Sequence, residues 1–291
     1  MAEARGGRMT GEDHAPTGRV WLITGASRGL GRAFAQAALE AGDTVVLTAR
    51  DPRTLEALAD GHPDRTLALE LDVTDRAAAR RVVARAAERF GRADVVVNCA
   101  GYGLHAAIEE TTEAEAREQM ETNFFGTLWV TQAVLPVMRR QRSGHIVQVS
   151  SAAGGTGFPM VEMYCASKFA LEGMSECLAL EVAPFGIAVT ILAPSDFRTG
   201  FRAACHRREQ PIADYGDQFA ANLEEMAAHH SGSEAGDPAR AATALLELVD
   251  KPDPPLRLLL CNMAFDVLTA HHRRQLDEWT ALEGVARQAD G

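Results

Sequence analysis

The stretch "RVWLITGASRGLGRAFAQAALEAGDTVVLTAR", residues 19–50, decides the fold. A short apolar run at 19–24 ends in a glycine-rich turn. A segment with helical spacing at 32–42 follows and ends in glycine. The apolar run 44–49 then predicts a second strand. This order predicts a strand–helix–strand unit, in which the strands are parallel and the helix covers the sheet.

The same alternation of apolar strands and longer helical segments continues along the chain. Further strands are predicted at 65–71, 93–98, 144–150, 186–192 and 256–260. Helices are predicted at about 75–90, 113–140, 161–184 and 238–250, the last with Asp237 as N-cap and Pro238 in the first turn. We therefore predict an α/β protein with a Rossmann-like, doubly wound fold, in which helices flank a seven-stranded parallel sheet.

Two segments depart from this alternation. Residues 1–18 are polar and rich in glycine and charge, and they lack the apolar core of a signal peptide. We predict a flexible N-terminal tail there, followed by one catalytic domain over 19–291. Residues 195–235 are polar, have weak periodicity and follow the sixth strand. Because ligands bind beyond the carboxyl ends of strands in such sheets, we predict a substrate lid at 195–235.

The bulk composition limits the classes of partner. The formal net charge of −11 disfavours nucleic acid and anionic membranes as main partners, and no apolar run is long enough to span a bilayer. Five widely spaced cysteines without a CxxC pair disfavour a disulfide framework or a zinc site. The histidine pairs at 229–230 and 271–272 are more typical of solvated side chains than of metal ligands. We therefore expect a cytoplasmic protein without a metal centre.

The turn "TGASRGLG", residues 24–31, lies between the first strand and the first helix. Gly25, Gly29 and Gly31 permit a tight turn and a close approach of the backbone to a pyrophosphate, and the helix N-terminus offers free N–H groups. The spacing GxxxGxG differs from the common GxGxxG fingerprint. A purely structural turn is the alternative, but the position of the turn favours dinucleotide binding.

The end of the second strand bears on the choice of cofactor. NAD-binding proteins usually carry an acid there, whereas arginine favours NADP. The chain has Ala49 and then Arg50, and Arg28 lies in the glycine turn, so two guanidinium groups can hold a 2′-phosphate. Each arginine alone is typical of a solvated surface charge, and Asp51 serves either a ribose or the next helix as a cap. Together the arginines favour NADP, and NAD remains the alternative.

The stretch "YCASK", residues 164–168, places a tyrosine and a lysine four residues apart. Such residues lie on one face of a helix, so Lys168 can approach Tyr164. A nearby cation favours the phenolate and is expected to pull the pKa of the tyrosine toward neutrality, as is an oxidised nicotinamide. The pair is then a proton donor and acceptor, although a solvated helix pair has the same spacing.

Five further motifs accompany the glycine turn and "YCASK": "LDV" (71–73), "NCAG" (98–101), "ETNFFGT" (121–127), "VSS" (149–151) and "PSDFRT" (194–199). Together, these motifs make the chain resemble the short-chain dehydrogenase/reductase family over about 19–260. The resemblance implies a catalytic set of four residues: Asn123, Ser151, Tyr164 and Lys168. In that set Ser151 hydrogen-bonds the substrate oxygen and Tyr164 is the general acid and base. Lys168 also binds the nicotinamide ribose, and Asn123 holds a water that relays protons.

The resemblance also implies cofactor-binding residues in each motif. They are Gly25, Ser27, Arg28, Gly29, Leu30, Gly31, Arg50, Asp72, Val73, Asn98, Ala100, Gly101, Tyr164, Lys168, Pro194 and Thr199. Asp72 contacts adenine or caps the following helix, Asn98 supports the central strand, and Thr199 contacts the nicotinamide carboxamide. Two positions depart from the family pattern: Cys99 replaces an asparagine, and Ser195 replaces a glycine, which is expected to alter the path into the lid.

The function expected from these features is an NADP(H)-dependent oxidoreductase that interconverts a carbonyl and an alcohol. The alternatives are an NAD-dependent dehydrogenase of the same fold and a non-catalytic dinucleotide-sensing protein. A cleft lined by aromatic residues predicts a bulky or cyclic small molecule as the substrate. The candidates for that lining are His105, Phe158, Met160, Phe197 and Phe201. The family resemblance also implies that helices 113–140 and 161–184 form the interfaces of a homodimer or homotetramer.

Overall fold

The computed structural model describes residues 18–207, 212–217, 220, 221, 224 and 235–289. Seven of its strands form one parallel sheet: β1 (Val20–Ile23), β2 (Thr44–Ala49), β3 (Thr66–Glu70), β4 (Val95–Asn98), β6 (Gly144–Val149), β7 (Ile187–Pro194) and β9 (Arg257–Leu260). Their order across the sheet is β3-β2-β1-β4-β6-β7-β9. The strand order therefore runs outward from β1 in both directions, to β2 and β3 on one side and to β4 and the later strands on the other. This doubly wound pattern confirms the predicted fold class.

Helices cover both faces of the sheet in the described part of the chain. They are α1 (Gly29–Glu40), α2 (Glu56–Asp60), α3 (Arg76–Phe90), α4 (Glu113–Met120), α5 (Gly126–Gln141), α6 (Glu162–Val182), α7 (Pro238–Val249), α8 (Asn262–Ala281) and α9 (Glu283–Arg287). Asp237 caps α7 as expected, since its side chain accepts a hydrogen bond from the Ala239 N–H at 2.9 Å.

The sheet is buried between two apolar layers because successive side chains of a strand point to opposite faces. Val20 and Leu22 of β1 pack in the layer that contains α3, α5 and α6. Trp21 and Ile23 pack in the layer that contains α1 and α7. All four side chains are at most 1% exposed, so the first strand is embedded on both faces.

The segment predicted as one helix over 113–140 contains a π-helical turn at Glu121–Phe125, between α4 and α5. The wider turn re-aims its side chains relative to a regular α-helix. Asn123 lies in this turn and is only 1% exposed. Turns of this kind occur often at functional sites, because they place one side chain where a regular helix cannot.

The chain that follows β7 crosses the carboxyl edge of the sheet. Phe197 forms a parallel bridge with Gly236, and β8 (His206–Arg207) pairs with β5 (Leu104–His105) in a separate two-stranded sheet. This part of the expected lid is therefore held by backbone hydrogen bonds. Much of the remaining lid, including Arg208 and His229–His230, lies outside the described residues, as does the N-terminal tail apart from Gly18.

Within the part of the chain that the structure describes, no helix combines the length and the apolar character needed to cross a bilayer. The same residues contain no group of three or more histidine, cysteine or acidic side chains able to hold a metal ion.

Candidate active site

A cavity of about 760 Å³ opens at the carboxyl edge of the sheet, where β1, β2, β4, β6 and β7 end. Sixteen of the residues singled out from the sequence line it: Gly25, Ser27, Arg28, Gly29, Leu30, Gly31, Arg50, Asp72, Val73, Ala100, Gly101, Ser151, Tyr164, Lys168, Pro194 and Thr199. Motifs spread over most of the chain therefore meet in one cavity. Asn98 and Asn123 are absent from its lining and lie buried behind it.

The glycine turn requires its glycines for geometric reasons. Gly25 and Gly29 have φ angles of +68° and +57°, which disfavour side chains with a Cβ. A Cβ on Gly31 would lie 2.4 Å from the Gly25 carbonyl oxygen, so the turn packs too closely for alanine. Arg28 precedes α1 without a side-chain cap, which leaves the first N–H groups of the helix available to an anion.

Arg28 and Arg50 are exposed at the rim of the cavity. Among the described residues, neither guanidinium forms a hydrogen bond or an ion pair with an acidic side chain. Asp51 has a different role, because its Oδ1 accepts from the Arg53 backbone N–H at 3.0 Å and its Oδ2 pairs with Arg53 Nη2 at 2.8 Å. Of the two roles considered for Asp51, the structure shows the cap of the short 3₁₀ helix Pro52–Leu55.

Asp72 lines the cavity, whereas Asp75 caps the next helix. Oδ1 of Asp72 accepts from the Thr74 N–H at 2.9 Å and from its hydroxyl at 2.7 Å. Asp75 accepts from the first backbone N–H groups of α3, beginning with Ala77 at 2.8 Å. Asp72 is therefore not needed as the helix cap.

Three polar side chains meet on the catalytic side of the cavity. Tyr164 and Lys168 lie one turn apart on α6, with the Lys168 Nζ 5.6 Å from the centre of the Tyr164 ring. The Ser151 hydroxyl lies on the side of Tyr164 that carries its hydroxyl and lowers the pKa of the phenol. Lys168 is only 6% exposed and donates a hydrogen bond to the Val149 carbonyl oxygen at 2.8 Å. The spacing of the tyrosine and the lysine, together with the family resemblance, predicted that these three residues lie close to one another, and in the structure all three line one cavity.

Burial dominates the proton affinities of this group. It raises the pKa of Tyr164 above that of an ordinary phenol, and the hydrogen bond with Ser151 acts in the opposite direction. This direction is opposite to the one expected from the lysine alone. Burial also lowers the pKa of Lys168 to about 8, against the influence of Cys99 and Glu172. Desolvation depends on tertiary packing, so the sequence pattern could not reveal its size.

Asn123 supports the cavity wall from behind. Its Nδ2 donates to the Tyr102 carbonyl oxygen at 2.9 Å and to the Ser167 hydroxyl at 3.0 Å, while its Oδ1 accepts from the Tyr102 N–H at 3.1 Å. Both amide hydrogens are thus used within the protein. The side chain fixes the loop after β4 against α6, and its role in a proton relay stays a prediction.

Asn98 has a comparable supporting position at the end of β4. Its Nδ2 donates to Gln148 Oε1 at 2.9 Å and to the Thr131 hydroxyl at 3.2 Å. It therefore ties the central strand to β6 and α5.

The cleft lining was only partly foreseen. Phe197 and Phe201 line the cavity, and the Phe201 ring lies 5.9 Å from that of Tyr164. His105, Phe158 and Met160 were expected in the lining and do not belong to it. His105 and Met160 are buried elsewhere, and Phe158 packs against small apolar clusters beside α6 and α8. The prediction for these three residues was wrong because it rested on their place in the chain.

Sequence reasoning missed Tyr102 and His206, whose rings lie 4.9 Å apart across the cavity wall. The His206 N–H donates to the Gly103 carbonyl oxygen at 2.9 Å, which holds the two rings together. Tyr102 directly follows "NCAG", so its position after β4 was a usable signal. The sequence around His206 gave no such signal, because this residue reaches the cavity through a strand of only two residues.

The departure at Ser195 has a simple explanation. Within the described chain the residues other than glycine with positive φ are Arg142, Met160 and Cys261, so Ser195 has an ordinary backbone conformation. Its N–H donates to the Leu260 carbonyl oxygen at 3.3 Å, which continues the pairing of β7 with β9. Glycine is not required at this position.

The geometry agrees with comparisons to known proteins. A family model described as short chain dehydrogenase matches residues 19–210. The chain belongs to the short-chain dehydrogenase family. Its relatives include the oxidoreductase BOA17 of Botryotinia fuckeliana, 41% identical over 83% of this chain and 88% of that protein. A 3-ketodihydrosphingosine reductase of Bacteroides thetaiotaomicron is 39% identical over 82% of this chain and 86% of its own length.

Solved structures of family members superpose closely. A short-chain dehydrogenase from Streptomyces avermitilis has a TM-score of 0.88 at 43% identity and covers 94% of this chain and 99% of its own. A family member from Burkholderia phymatum, solved with NAD, gives 0.77 at 26% identity, with 93% and 96% covered. An alcohol dehydrogenase from Thermococcus sibiricus, solved with 5-hydroxy-NADP, gives 0.69 at 26% identity, with 84% and 97% covered. The protein is thus an oxidoreductase of this family.

Proposed function

We propose that the protein is an NADP(H)-dependent oxidoreductase that interconverts a carbonyl and an alcohol on a small molecule. The observation that carries this proposal is the position of Ser151, Tyr164 and Lys168 together in the lining of the cavity that also contains the glycine turn. A dinucleotide bound along that turn brings its nicotinamide toward these three side chains. Binding alone does not need a buried proton donor, so a purely sensing role is less well supported.

The chain's own groups account for the proton. The bound nicotinamide supplies or accepts the hydride, and the protein orients the substrate and manages the proton. Ser151 donates a hydrogen bond to the substrate oxygen, and Tyr164 gives that oxygen a proton during reduction. Because burial raises its pKa, Tyr164 is protonated at neutral pH, which suits the reducing direction. In oxidation the Lys168 ammonium group stabilises the phenolate.

The residues present fit a dinucleotide. The glycine turn and the N-terminus of α1 would hold the pyrophosphate, Asp72 and Val73 the adenosine, and Thr199 and Pro194 the nicotinamide. Lys168 and Tyr164 would bind the nicotinamide ribose. These assignments are supported by the shared cavity and by the family members solved with NAD and with an NADP derivative.

The choice of NADP over NAD is supported by Arg28 and Arg50. Both residues are exposed and line the cavity, Arg50 directly after β2, and Asp51 is already engaged by Arg53. A 2′-phosphate would therefore meet two cations and no competing carboxylate from this turn. NAD remains the second candidate, because a relative solved with NAD shares the fold.

The substrate proposed is a bulky ketone or the corresponding alcohol. Phe201 lies beside Tyr164, and Tyr102, Phe197 and His206 also line the cavity, which gives the cavity an aromatic wall. A relative named as a reductase of a keto compound supports reduction as the working direction. We propose a homodimer or homotetramer as the assembly, with α5 and α6 at the interface.

Turnover of a panel of ketones and aldehydes with NADPH and NADH tests the proposal. Tyr164→Phe keeps the ring and removes only the ionisable oxygen, so it should lower turnover by about 10² to 10⁴. The affinity for NADPH should fall by no more than the loss of one hydrogen bond to the ribose, about tenfold. Cofactor binding without turnover of any compound would favour the sensor. A Tyr164→Phe variant that retains most of its activity would refute the mechanism.

A further inference from the structure

Three side chains at successive turns of α6 each face one of three consecutive residues at the end of β6. Tyr164 faces Ser151, which lowers the pKa of the phenol, and Lys168 donates to the Val149 carbonyl oxygen at 2.8 Å. Glu172, the third of the series, accepts a hydrogen bond from the Ser150 hydroxyl at 2.7 Å. The spacing of four residues keeps all three side chains on one helix face. Glu172 therefore lies on the same helix face as Tyr164 and Lys168, one turn further along α6.

The carboxylate of Glu172 is buried and occupied on both oxygens. The residue is 6% exposed, with Oε1 bound by Ser150 and Oε2 accepting from Arg257 Nε at 3.1 Å and Nη2 at 2.8 Å. A Cβ on Gly154 would lie 2.5 Å from both the Glu172 Oε1 and the Ser150 Oγ. The turn after β6 therefore passes so close to the carboxylate that only glycine fits.

We propose that Glu172 is a positioning residue of the active site. Its carboxylate holds the end of β6 against α6, so that Ser151 stays in contact with Tyr164, and it supplies the negative charge that keeps Lys168 an ammonium group. This inference rests on the proposed oxidoreductase function for the meaning of that charge. Its contacts and its direct test are independent of any substrate.

The electrostatic role of Glu172 follows from the groups that face Lys168. They are Cys99 after β4, the Val149 carbonyl of β6, and Tyr164 and Glu172 on its own helix. Burial raises the pKa of Cys99 to about 11 and raises that of Tyr164 as well, so both are neutral at pH 7. Glu172 is then the anion of this group, and it opposes the desolvation that favours neutral lysine.

Arg257 and Glu176 complete the set and provide matched variants. Arg257 lies on β9, and its Nη2 also binds Glu176 Oε1 at 2.9 Å. Glu176 is one further turn along α6, but its side chain is 54% exposed, whereas that of Glu172 is 7% exposed. Glu176→Gln therefore removes a carboxylate from the same helix and the same arginine without removing the buried charge.

The chain contains only two lysines, Lys168 and Lys251, so the proton affinity of Lys168 can be measured directly. Protein labelled with ¹³C at the lysine ε carbon gives two resonances, which Lys251→Arg assigns. Across a pH titration the Lys168 signal should have its midpoint near 8. In Glu172→Gln the midpoint should fall by about one pH unit. In Glu176→Gln it should stay in place.

Arg257→Gln gives the opposite test, because loss of this cation should raise the midpoint of Lys168. It also keeps the charge argument testable if Glu172→Gln does not fold. An unchanged midpoint in Glu172→Gln, or in Arg257→Gln if the first variant is unstable, overturns the electrostatic role. An equal shift in Glu176→Gln would also overturn it, since the effect would then be a general surface charge effect.

Ser150→Ala tests the positioning role separately, since it removes the hydrogen bond and leaves every charge in place. It should lower kcat about tenfold on a ketone found in the panel, with the Lys168 midpoint unchanged. Unaltered kcat overturns the positioning role. If no compound is turned over, the proposed function fails, while the titration still decides the charge role. The readout for the positioning role is then the Tyr164 ring signal, which should move in Ser150→Ala.

Discussion

Arg50→Ala should weaken the binding of NADPH and leave the binding of NADH unchanged. Arg50 lies at the end of β2 and lines the cavity, and it is exposed, so its contact with a 2′-phosphate is only partly shielded from water. A hydrogen bond to a charged group contributes about 1.5–3 kcal/mol, and exposure places this one near 1.5 kcal/mol. The dissociation constant of NADPH should therefore rise about tenfold.

Arg50→Asp should go further, because it adds repulsion to the loss of attraction. Two unit charges at about 4 Å interact by roughly 1 kcal/mol in water, and the phosphate carries between one and two charges. The additional cost is about 1–2 kcal/mol, or roughly another tenfold in affinity for NADPH. The preference between the two cofactors should narrow or reverse.

Fluorescence titration of both cofactors at a fixed ionic strength measures these changes. Arg287→Ala is the matched control, since Arg287 is an exposed arginine that is paired with Glu283 and does not line the cavity. It should leave both dissociation constants unchanged. Raising the salt concentration should reduce the advantage of NADPH. Equal dissociation constants for NADPH and NADH in the unmodified protein, or an equal loss of both in Arg50→Ala, would refute the reasoning.

Three further outcomes follow from the site. Gly31→Ala should weaken NADPH binding and lower the melting temperature, because its Cβ would lie 2.4 Å from the Gly25 carbonyl oxygen; an unchanged melting curve would contradict it. NADPH affinity should fall as the pH rises through about 8, where Lys168 loses its charge, and a flat titration from pH 7 to 9 would contradict that. Hydrogen exchange at the His206 amide, bound to the Gly103 carbonyl, should slow when NADPH and a substrate bind; equal rates would identify this segment as fixed scaffold.

The strands were predictable because each is a short apolar run bounded by turn residues. The apolar run at 44–49 coincides with β2, and the glycine turn between β1 and α1 indicated a strand–helix–strand unit. The two-stranded sheet of β5 and β8 was not predictable, since two residues carry no periodicity. Helix α8 was missed for a related reason: only Ala264 and Leu268 are buried along it, which leaves a weak apolar stripe.

The candidate site was predictable as a set of residues but not as an electrostatic environment. The helical spacing of Tyr164 and Lys168 indicated that pair, and the family resemblance, with Ser151 at a strand end, indicated the serine. The direction in which the pKa of Tyr164 moves depends on how deeply neighbouring elements bury it, which no local pattern records. Glu172 was missed because its partner Arg257 lies far away in the sequence and meets it only in the folded sheet.

The pairing of β5 with β8 has a consequence for how substrate range can change within this architecture. Leu104 and His105 belong to the loop after β4, whereas their partners His206 and Arg207 come from the chain that passes over Tyr164. An insertion or a bulky replacement in the first loop would move the second as one unit. Selection for a new substrate can therefore act through residues that never touch it, while the proton-transfer group keeps its geometry.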